Sequence, residues 1–339
     1  MQYRYIGKTG LRVTPICMGT MSFGSWSSKE ESFKILDTAY DRGINFFDTA
    51  EIYPIPPRAE YAGETEKIVG EWLKTKPRDS IILASKVAGA ANGWFAPPIR
   101  HGLTAIDHFH IQKAIEGSLK RLGTDYLDLY QVHWPDELVP KEESQKALDN
   151  LIKQGKVRYI GTSNDTAYGL TKSNTIAGYE KLARFESIQN NFSLLNPRFL
   201  DELANVCRKE KVSLLPYSPI GGGVLSGKYN QNFIDQKTRF GEYMYASESR
   251  QRAMYHRFVN DKTLAATGKY LEISKKYGMS PVTLAVAWSM HFDFVASTII
   301  GARYASQLEE SFKALETTLS QELLAECTKV QHEILYPMG

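Results

Sequence analysis

Four residues able to exchange protons stand at or just beyond the ends of apolar, strand-like runs. They are Asp48 and Tyr53 after the run 44–47, Lys86 after the run 81–85, and His133 after the run 127–132. If these runs are neighbouring parallel strands, a carboxylate, a phenol, an amine and an imidazole meet at one edge of a sheet. That edge is where α/β folds keep their active sites. The sequence therefore predicts a site built from all four residues.

The residue types indicate the chemistry of this site. Lys86 ends a run that is otherwise apolar, and a buried charge needs a partner, for which Asp48 is the obvious choice. A tyrosine ordinarily ionises at about pH 10, and we expect the adjacent ammonium to lower the pKa of Tyr53. With His133 to bind the phenol or a substrate oxygen, the group suits a carbonyl oxygen that gains negative charge. The pattern indicates carbonyl reduction, with hydride supplied by a cofactor.

The elements that must position these residues alternate between strands and helices after a hairpin around residues 8–10. Predicted strands cover 16–19, 44–48, 81–87, 127–133, 157–162, 185–189, 212–217 and 296–300. Predicted helices cover 30–42, 63–75, 107–122, 141–154, 166–182, 198–209, 261–277, 281–291, 305–315 and 320–333. Eight such βα units favour a closed barrel of parallel strands.

We therefore predict a (β/α)8 TIM barrel with an N-terminal β-hairpin and two extra C-terminal-region helices, as a single domain over residues 1–339. An open, doubly wound sheet is the alternative. Such a sheet usually carries G-x-G-x-x-G after its first strand, and the run Gly19–Gly24 does not fit that pattern.

Two predicted connections, 88–106 and 218–260, are too long for simple barrel loops, and long loops in compact domains are usually functional or disordered. The first follows the strand of Lys86, and we expect it to cover the site as a lid. We expect Trp26, Trp94 and Trp134 to ring the mouth of the barrel as a substrate pocket. An apolar wall of this kind suits aromatic or aliphatic aldehydes.

Composition bounds the class of protein. The net charge of +3, from 41 basic and 38 acidic residues, is spread along the chain, so we expect neither nucleic acid nor membrane as a partner. No apolar run approaches the ~20 residues that span a bilayer, and we expect no export signal. Cys17, Cys207 and Cys327 are widely spaced, so we predict no disulfide, no metal site and a cytoplasmic location. The oligomeric state stays open, with a monomer favoured.

The sequence resembles the aldo-keto reductases over almost its whole length. The segments that carry the resemblance are Phe47–Tyr53, Ser85-Lys86, Tyr126–Tyr130, Val132–Pro135, Gly161–Asn164 and Ile188–Asn190. The long loop after Tyr217 is most similar to that of the bacterial Tas-like reductases and the potassium channel β subunits. The resemblance implies an NADPH-dependent reductase of small carbonyl compounds on a (β/α)8 barrel. It implies that Tyr53 is the general acid, that Lys86 tunes it, that Asp48 supports Lys86, and that His133 orients the carbonyl.

Cofactor contacts are predicted at the ends of the later strands. Tyr217 could stack on a nicotinamide, and the glycines of segment 218–228 allow a pyrophosphate to approach the backbone beside Lys228. The segment is not a P-loop, because Tyr229 follows the lysine. Lys228 and Arg303 together favour a 2′-phosphate, and so NADPH or NADP+ over NADH. The full predicted set, part of which only the resemblance carries, is Gly19, Thr20, Met21, Asp48, Ser163, Asn164, Gln189, Tyr217, Ser218, Pro219, Ile220, Gly221, Gly223, Lys228, Arg239, Gly301, Arg303, Gln307 and Glu310.

Two functions fit the resemblance. One is an NADPH-dependent aldehyde or ketone reductase, and the other is an NADPH-binding sensor or auxiliary subunit with marginal turnover. Turnover of NADPH with an aldehyde separates them. A phosphate-sugar hydrolase or lyase on the same barrel would need a metal or two close carboxylates at the strand ends, which the sequence does not offer. One departure from the family pattern is Ser311, which stands where Asn is common and predicts a weaker or water-mediated adenine contact.

Overall fold

The computed structural model describes residues 2–90, 97–231 and 234–338, which form ten strands. The strands are β1 (Arg4–Tyr5), β2 (Arg12–Val13), β3 (Ile16–Gly19), β4 (Phe46–Asp48), β5 (Ile82–Val87), β6 (Leu127–Val132), β7 (Val157–Ser163), β8 (Phe185–Gln189), β9 (Ser213–Leu214) and β10 (Thr298–Ile300). β1 and β2 pair antiparallel as the N-terminal hairpin. The other eight strands form a parallel sheet in the order β10-β3-β4-β5-β6-β7-β8-β9.

The sheet curls until β9 meets β10. The backbone N–H of Leu214 donates to the carbonyl of Phe294 (2.8 Å), and that of Ala296 donates to Leu214 (3.0 Å). Further along, the N–H of Ile299 donates to the carbonyl of Pro216 (2.8 Å). The predicted (β/α)8 barrel with an N-terminal hairpin is confirmed, and the open-sheet alternative is wrong.

Helices alternate with the strands and cover the outside of the barrel. They are α1 (Lys29–Asp41), α2 (Glu64–Leu73), α3 (His108–Leu122), α4 (Lys141–Lys153), α5 (Ala167–Glu180), α6 (Leu203–Glu210), α7 (Arg239–Met244), α8 (Ser249–Phe258), α9 (Asp261–Lys276), α10 (Pro281–Met290), α11 (Leu308–Lys313) and α12 (Gln321–Glu333). Local signals set their ends. The Asp107 carboxylate accepts a hydrogen bond from the N–H of His110 (2.8 Å) where α3 begins, and α3 ends at Gly123 in a left-handed conformation.

Residues 218–260 differ from the prediction, which has a long connection there. They form a 3-10 helix over Gly221–Ser226 and then α7 and α8. Because α7 has only six residues and contains a glycine, it gives no helical repeat that a pattern could detect. The predicted strand 212–217 is regular only over Ser213–Leu214, and Pro216 has no N–H to continue the ladder.

Apolar side chains fill two regions that hold the site in place. A large core lies between the sheet and the helices, and a smaller cluster lies inside the barrel, where Ile6, Leu11 and Val13 of the hairpin pack near Phe46 and Leu129. The hairpin closes one end of the barrel, so the carboxyl ends of the strands form the open end. Among the residues described, no helix combines the length and the apolar composition needed to cross a membrane.

Candidate active site

A buried ion pair lies at the carboxyl ends of two neighbouring strands. Asp48 ends β4, and Lys86 is the fifth residue of β5, with both side chains almost completely buried. The Lys86 ammonium donates to Asp48 Oδ1 and to the carbonyl of Thr49 (2.8 Å). Burial by itself lowers the pKa of Lys86, but the charges of Asp48 and Tyr53 outweigh it, so the pKa is raised. Lys86 therefore stays cationic at neutral pH.

Tyr53 lies in the loop after β4 with its ring beside this pair. Its N–H donates to Ala50 and its carbonyl accepts from Gly63 (2.9 Å), which fixes the backbone on both sides of the ring. The Lys86 ammonium lies 5.1 Å from the centre of the Tyr53 ring. The ring of His133 meets it edge-on, with centroids 5.6 Å apart.

The expected lowering of the Tyr53 pKa is wrong. Burial is the largest influence and raises the pKa of the phenol above 10, Lys86 opposes it, and the nearby Asp48 adds to the rise. The sequence-based expectation counted the ammonium but neither the lost hydration nor the paired carboxylate. Tyr53 is thus a neutral phenol that keeps its proton at neutral pH.

His133 follows β6 and is also uncharged. Burial, reinforced by the charge of Lys86, lowers its pKa well below the usual value. Its Nδ1 atom is enclosed and has no hydrogen-bond partner among the described residues. A buried N–H without an acceptor is rarer than a buried lone pair without a donor, so the proton belongs on Nε2. The ring can then donate one hydrogen bond without carrying charge.

Gln131 joins the site, although the predicted set lacks it. Its amide nitrogen donates to Asp48 Oδ2 (3.0 Å), and its oxygen accepts from the amide nitrogen of Gln189 (3.2 Å). Gln189 also donates to Asp48 Oδ2 (2.9 Å). All three side chains are buried inside the barrel. A sequence signal existed, since Gln131 is a polar residue inside the apolar run that precedes His133.

Two other predicted residues, Asn164 and Ser163, link Tyr217 to Gln189. Its hydroxyl donates to Asn164 Oδ1 (2.7 Å), and burial raises its pKa to about 12. Asn164 donates from its amide to the carbonyl of His133 (2.9 Å) and has a left-handed backbone with φ of 55°. The Ser163 hydroxyl donates to the carbonyl of Gln189 (2.7 Å). The ends of β7, β8 and β9 are therefore tied to the His133 side of the site.

The segment after Tyr217 holds several residues in left-handed conformations, among them Ser218, Gly221 and Gly223. A Cβ built on Gly223 would lie 2.9 Å from the Lys228 ammonium, so only glycine leaves the lysine in place. Pro219 is buried and Ile220 half-buried in the same turn. The segment thus presents its backbone and Lys228 together.

Three cations of the predicted set come together here. Partial enclosure lowers the pKa of Lys228, and the charges of Arg303 and Arg239 lower it further. The Nε atoms of Arg239 and Arg303 are buried without hydrogen-bond partners in the described part of the chain. Arg303 donates to the carbonyl of Lys237 (2.5 Å) and, more weakly, to Glu242 (3.3 Å). The cluster is left with more positive than negative charge, which suits an anionic group.

The predicted tryptophan pocket is only partly assembled. Trp26 donates to Glu242 (2.7 Å), packs on Tyr243 and lies under the guanidinium of Arg239, so it belongs with the cation cluster. Trp134 donates to the carbonyl of Ala90 (2.8 Å) and packs against His133. Trp94 lies outside the described residues. Met21, Ile55, Ile99 and Trp134 pack against a small apolar cluster made of Ala50, Ile52, Tyr53 and Ala88.

The remaining predicted residues have plain structural positions. Thr20 donates from its N–H and its hydroxyl to the carbonyl of Asp48, and a Cβ on Gly19 would clash with Ile299. Gln307 accepts from the N–H of Arg303 (2.9 Å). Gly301 and Glu310 are exposed. Ser311 is buried.

A buried glutamate joins the loop that carries Tyr53 to neighbouring parts of the barrel. Glu51 binds the guanidinium of Arg100 through two hydrogen bonds (2.5 and 2.9 Å) and accepts from the N–H of Ala88 (2.7 Å). It thereby links the segment that carries Tyr53 to the end of β5 and to the loop before α3. In the part of the chain that is described, no cluster of three or more His, Cys, Asp or Glu residues could hold a metal ion.

Comparison with known proteins gives a consistent result. Residues 15–332 match the model of the aldo/keto reductase family. The chain is 38% identical to "Protein tas" of Escherichia coli (strain K12), with 99% of each chain covered. It is 32% identical to the uncharacterized oxidoreductase YrpG of Bacillus subtilis (96% and 94% covered). It is 30% identical to a probable voltage-gated potassium channel subunit beta of Oryza sativa subsp. japonica (93% and 92% covered).

Proposed function

The chain belongs to the aldo/keto reductase family, whose members are oxidoreductases that use NAD(P)H, and we propose that it reduces aldehydes and ketones to alcohols with NADPH. Tyr53 is the general acid of this reaction. Lys86 tunes it, Asp48 supports Lys86, and His133 orients the carbonyl. The proposal takes residues 1–339 as one domain in a reducing cytoplasm, in keeping with three buried free cysteines.

The observation that carries the proposal is the geometry of the site, in which the buried ion pair of Lys86 and Asp48 lies beside the Tyr53 ring and the His133 ring meets that ring edge-on. Lys86 stays cationic, Tyr53 keeps its proton, and His133 is neutral, for the physical reasons given above. A cation beside a neutral phenol, and a neutral imidazole with its proton on Nε2, present hydrogen-bond donors to a substrate oxygen. Such a site stabilises negative charge that grows on an oxygen. It therefore suits the protonation of a carbonyl oxygen during reduction.

Each residue has one task in the reaction. When bound, the nicotinamide supplies the hydride to the carbonyl carbon. His133, with its proton on Nε2, donates a hydrogen bond to the carbonyl oxygen and so orients the substrate. Tyr53 gives its proton to the same oxygen as negative charge builds up there. Lys86 stabilises the phenolate that remains, and Asp48 keeps Lys86 charged and in position.

The cation cluster supports NADPH as the cofactor. Lys228, Arg239 and Arg303 are three cations next to glycines that leave the backbone open, and within the described ranges the buried Nε atoms of the two arginines have no hydrogen-bond partner. These residues fit a ligand with several phosphate groups. The nicotinamide end of NADPH would bind beside Ser163, Gln189 and Tyr217.

The surroundings of Tyr53 support a neutral, apolar substrate. Met21, Ile55, Ile99 and Trp134 pack against the small apolar cluster that contains Tyr53. The nearby Arg100 is paired in two hydrogen bonds with Glu51, so its charge is already compensated. We therefore propose small aromatic and aliphatic carbonyl compounds as the substrate class.

The test is turnover by the purified protein. NADPH is mixed with 4-nitrobenzaldehyde, its absorbance is followed, and the alcohol product is identified. The proposal expects one alcohol formed for each NADPH consumed, and a lower rate with NADH at equal concentration. If NADPH binds but no aldehyde in a broad panel is reduced, the protein is instead a nucleotide-binding sensor or auxiliary subunit. The similarity to a protein described as a probable potassium channel subunit beta is the observation that favours this second function.

A further inference from the structure

Gln131, Asp48 and Gln189 form one layer of side chains inside the barrel. They come from β6, β4 and β8, which are alternate strands of the sheet. Alternate strands of a TIM barrel fill a common interior layer, usually with bulky branched apolar residues. Here the layer is polar, and its three members are joined by hydrogen bonds of 2.9, 3.0 and 3.2 Å.

Filling space does not explain Gln131. Its side chain is completely buried, and burying an amide costs free energy unless both of its ends are hydrogen-bonded. A leucine would fill a similar volume without that requirement. Both ends of the Gln131 amide bind site residues, the nitrogen binding Asp48 and the oxygen binding Gln189.

The two contacts determine how Gln189 is oriented. One hydrogen of its amide nitrogen is directed to Asp48 Oδ2, and the other is directed to the oxygen of Gln131. The nitrogen has no further hydrogen to donate. The oxygen of Gln189 is then the end that can accept a hydrogen bond from a nicotinamide carboxamide.

We propose that Gln131 is a positioning residue that holds the Asp48 carboxylate and the Gln189 amide in register, and so couples the proton-donor side of the site to the nicotinamide side. The inference rests on the proposed function. Gln131 touches neither reacting atom and acts through its two partners.

Gln131→Leu removes both contacts at nearly constant volume. Asp48 keeps Lys86 and Gln189 as donors, whereas Gln189 loses the acceptor for one hydrogen. The substitution removes roughly one net hydrogen bond at Gln189 and one at Asp48. We therefore expect the Kd for NADP+ to rise about fivefold to tenfold and kcat to fall by about the same factor. The aldehyde KM should stay within about twofold, because the apolar side chains around Tyr53 are not altered.

Gln131→Glu adds a pH dependence of NADP+ affinity and kcat that a purely structural role would not produce. When protonated, the introduced carboxyl can donate to Asp48 and accept from Gln189, as the native amide does. When ionised, it faces the Asp48 carboxylate. Lys86 pairs with Asp48, and Tyr53, His133 and the buried thiol of Cys17 are the other titratable groups that interact with this pair. Repulsion from Asp48 and burial raise the pKa of the introduced carboxyl above the ordinary value of about 4.3.

We therefore expect the Gln131→Glu variant to resemble the wild type at about pH 5 and to lose NADP+ affinity and kcat by about pH 8. The Gln131→Leu variant should show the same loss at both values. The melting temperature of the cofactor-free Gln131→Glu variant should fall over the same interval relative to the wild type. This last readout needs neither cofactor nor turnover, and the variant remains informative if Gln131→Leu does not fold.

The matched control is Gln145→Leu. Gln145 is a buried glutamine on α4 whose amide donates to the carbonyl of Ala183 (2.6 Å), away from the site. This control should lower the melting temperature but leave the NADP+ Kd and the pH profile unchanged.

The inference is overturned if Gln131→Leu loses only stability, as the control does, or if Gln131→Glu keeps the wild-type pH profile and melting behaviour. A wild-type protein that neither binds NADP+ nor reduces aldehydes would refute the proposed function itself, and the inference with it.

Discussion

Replacing Lys86 by methionine should destabilise the protein far more than replacing an exposed lysine. Asp48 would keep its two amide donors at 3.0 and 2.9 Å but would lose its only described cationic partner, while remaining almost fully buried. Removing one member of a buried ion pair costs about 3–5 kcal/mol, because the other charge is left uncompensated. The two remaining hydrogen bonds place the expected loss at the lower end, at about 3 kcal/mol.

The assay is urea unfolding at neutral pH, with a double-variant cycle. The double variant Asp48→Asn with Lys86→Met leaves no uncompensated buried charge. Its loss in free energy of unfolding should therefore be about 2 kcal/mol smaller than the sum of the losses of the two single variants. Lys67→Met is the control, since Lys67 pairs with Glu64 on the exposed face of α2. Such pairs contribute little in water. Strictly additive losses at positions 48 and 86, or a Lys86→Met loss no larger than that of the control, would refute the reasoning.

Three further predictions follow from the same geometry. Because burial raises the pKa of Tyr53, the rate of aldehyde reduction should stay constant from neutral pH to beyond about pH 10 and fall only at higher pH. The rate of alcohol oxidation, which needs the phenolate, should rise from neutral pH to beyond about pH 10. An inflection of both rates near neutral pH would contradict this. Arg100→Met should lower the free energy of unfolding by about 3–5 kcal/mol in urea titrations, because Glu51 is buried and loses both charged hydrogen bonds. A loss below about 1 kcal/mol would count against a structural role for the pair of Arg100 and Glu51. Lys228→Met should weaken NADPH binding about tenfold and NADH binding much less, as measured by calorimetry. Lys237→Met, in the same segment, is the control. If Lys228→Met weakens the binding of both nucleotides equally, a contact with the 2′-phosphate is contradicted.

The sequence was a good guide to the fold where strands and helices repeat strongly. Runs such as 127–133 combine apolar residues with a polar end, and the helix before them has an aspartate at its start and a glycine at its end. Those signals act within a few residues, so they can be read locally. The segment 218–260 carries local signals too, such as Thr238 at the start of α7, but its short helices give no long apolar repeat and are also held by contacts with distant parts of the chain. Trp26, for example, packs against α7, far from it in sequence.

The pairing of Asp48 with Lys86 was predictable from the sequence, but the pKa values of the neighbouring groups were less so. The ion pair of Asp48 and Lys86 followed from the rule that buried charges are paired. The direction of the Tyr53 pKa did not, because it depends on how completely the ring is enclosed and on a carboxylate that offsets the ammonium. Gln131 was missed because its partners, Asp48 and Gln189, lie on alternate strands and are close only after the barrel has closed.

The most direct test of the proposed mechanism compares two buried tyrosines near the site. Tyr53→Phe should lower kcat for aldehyde reduction by about 10²–10⁴-fold and leave the NADPH Kd unchanged, because it removes the proton donor and little else. Tyr130→Phe is the control, since the hydroxyl of Tyr130 is buried with no hydrogen-bond partner in the described residues and its removal should leave kcat near the wild-type value. NADPH consumption that is as fast in Tyr53→Phe as in Tyr130→Phe would contradict the central claim.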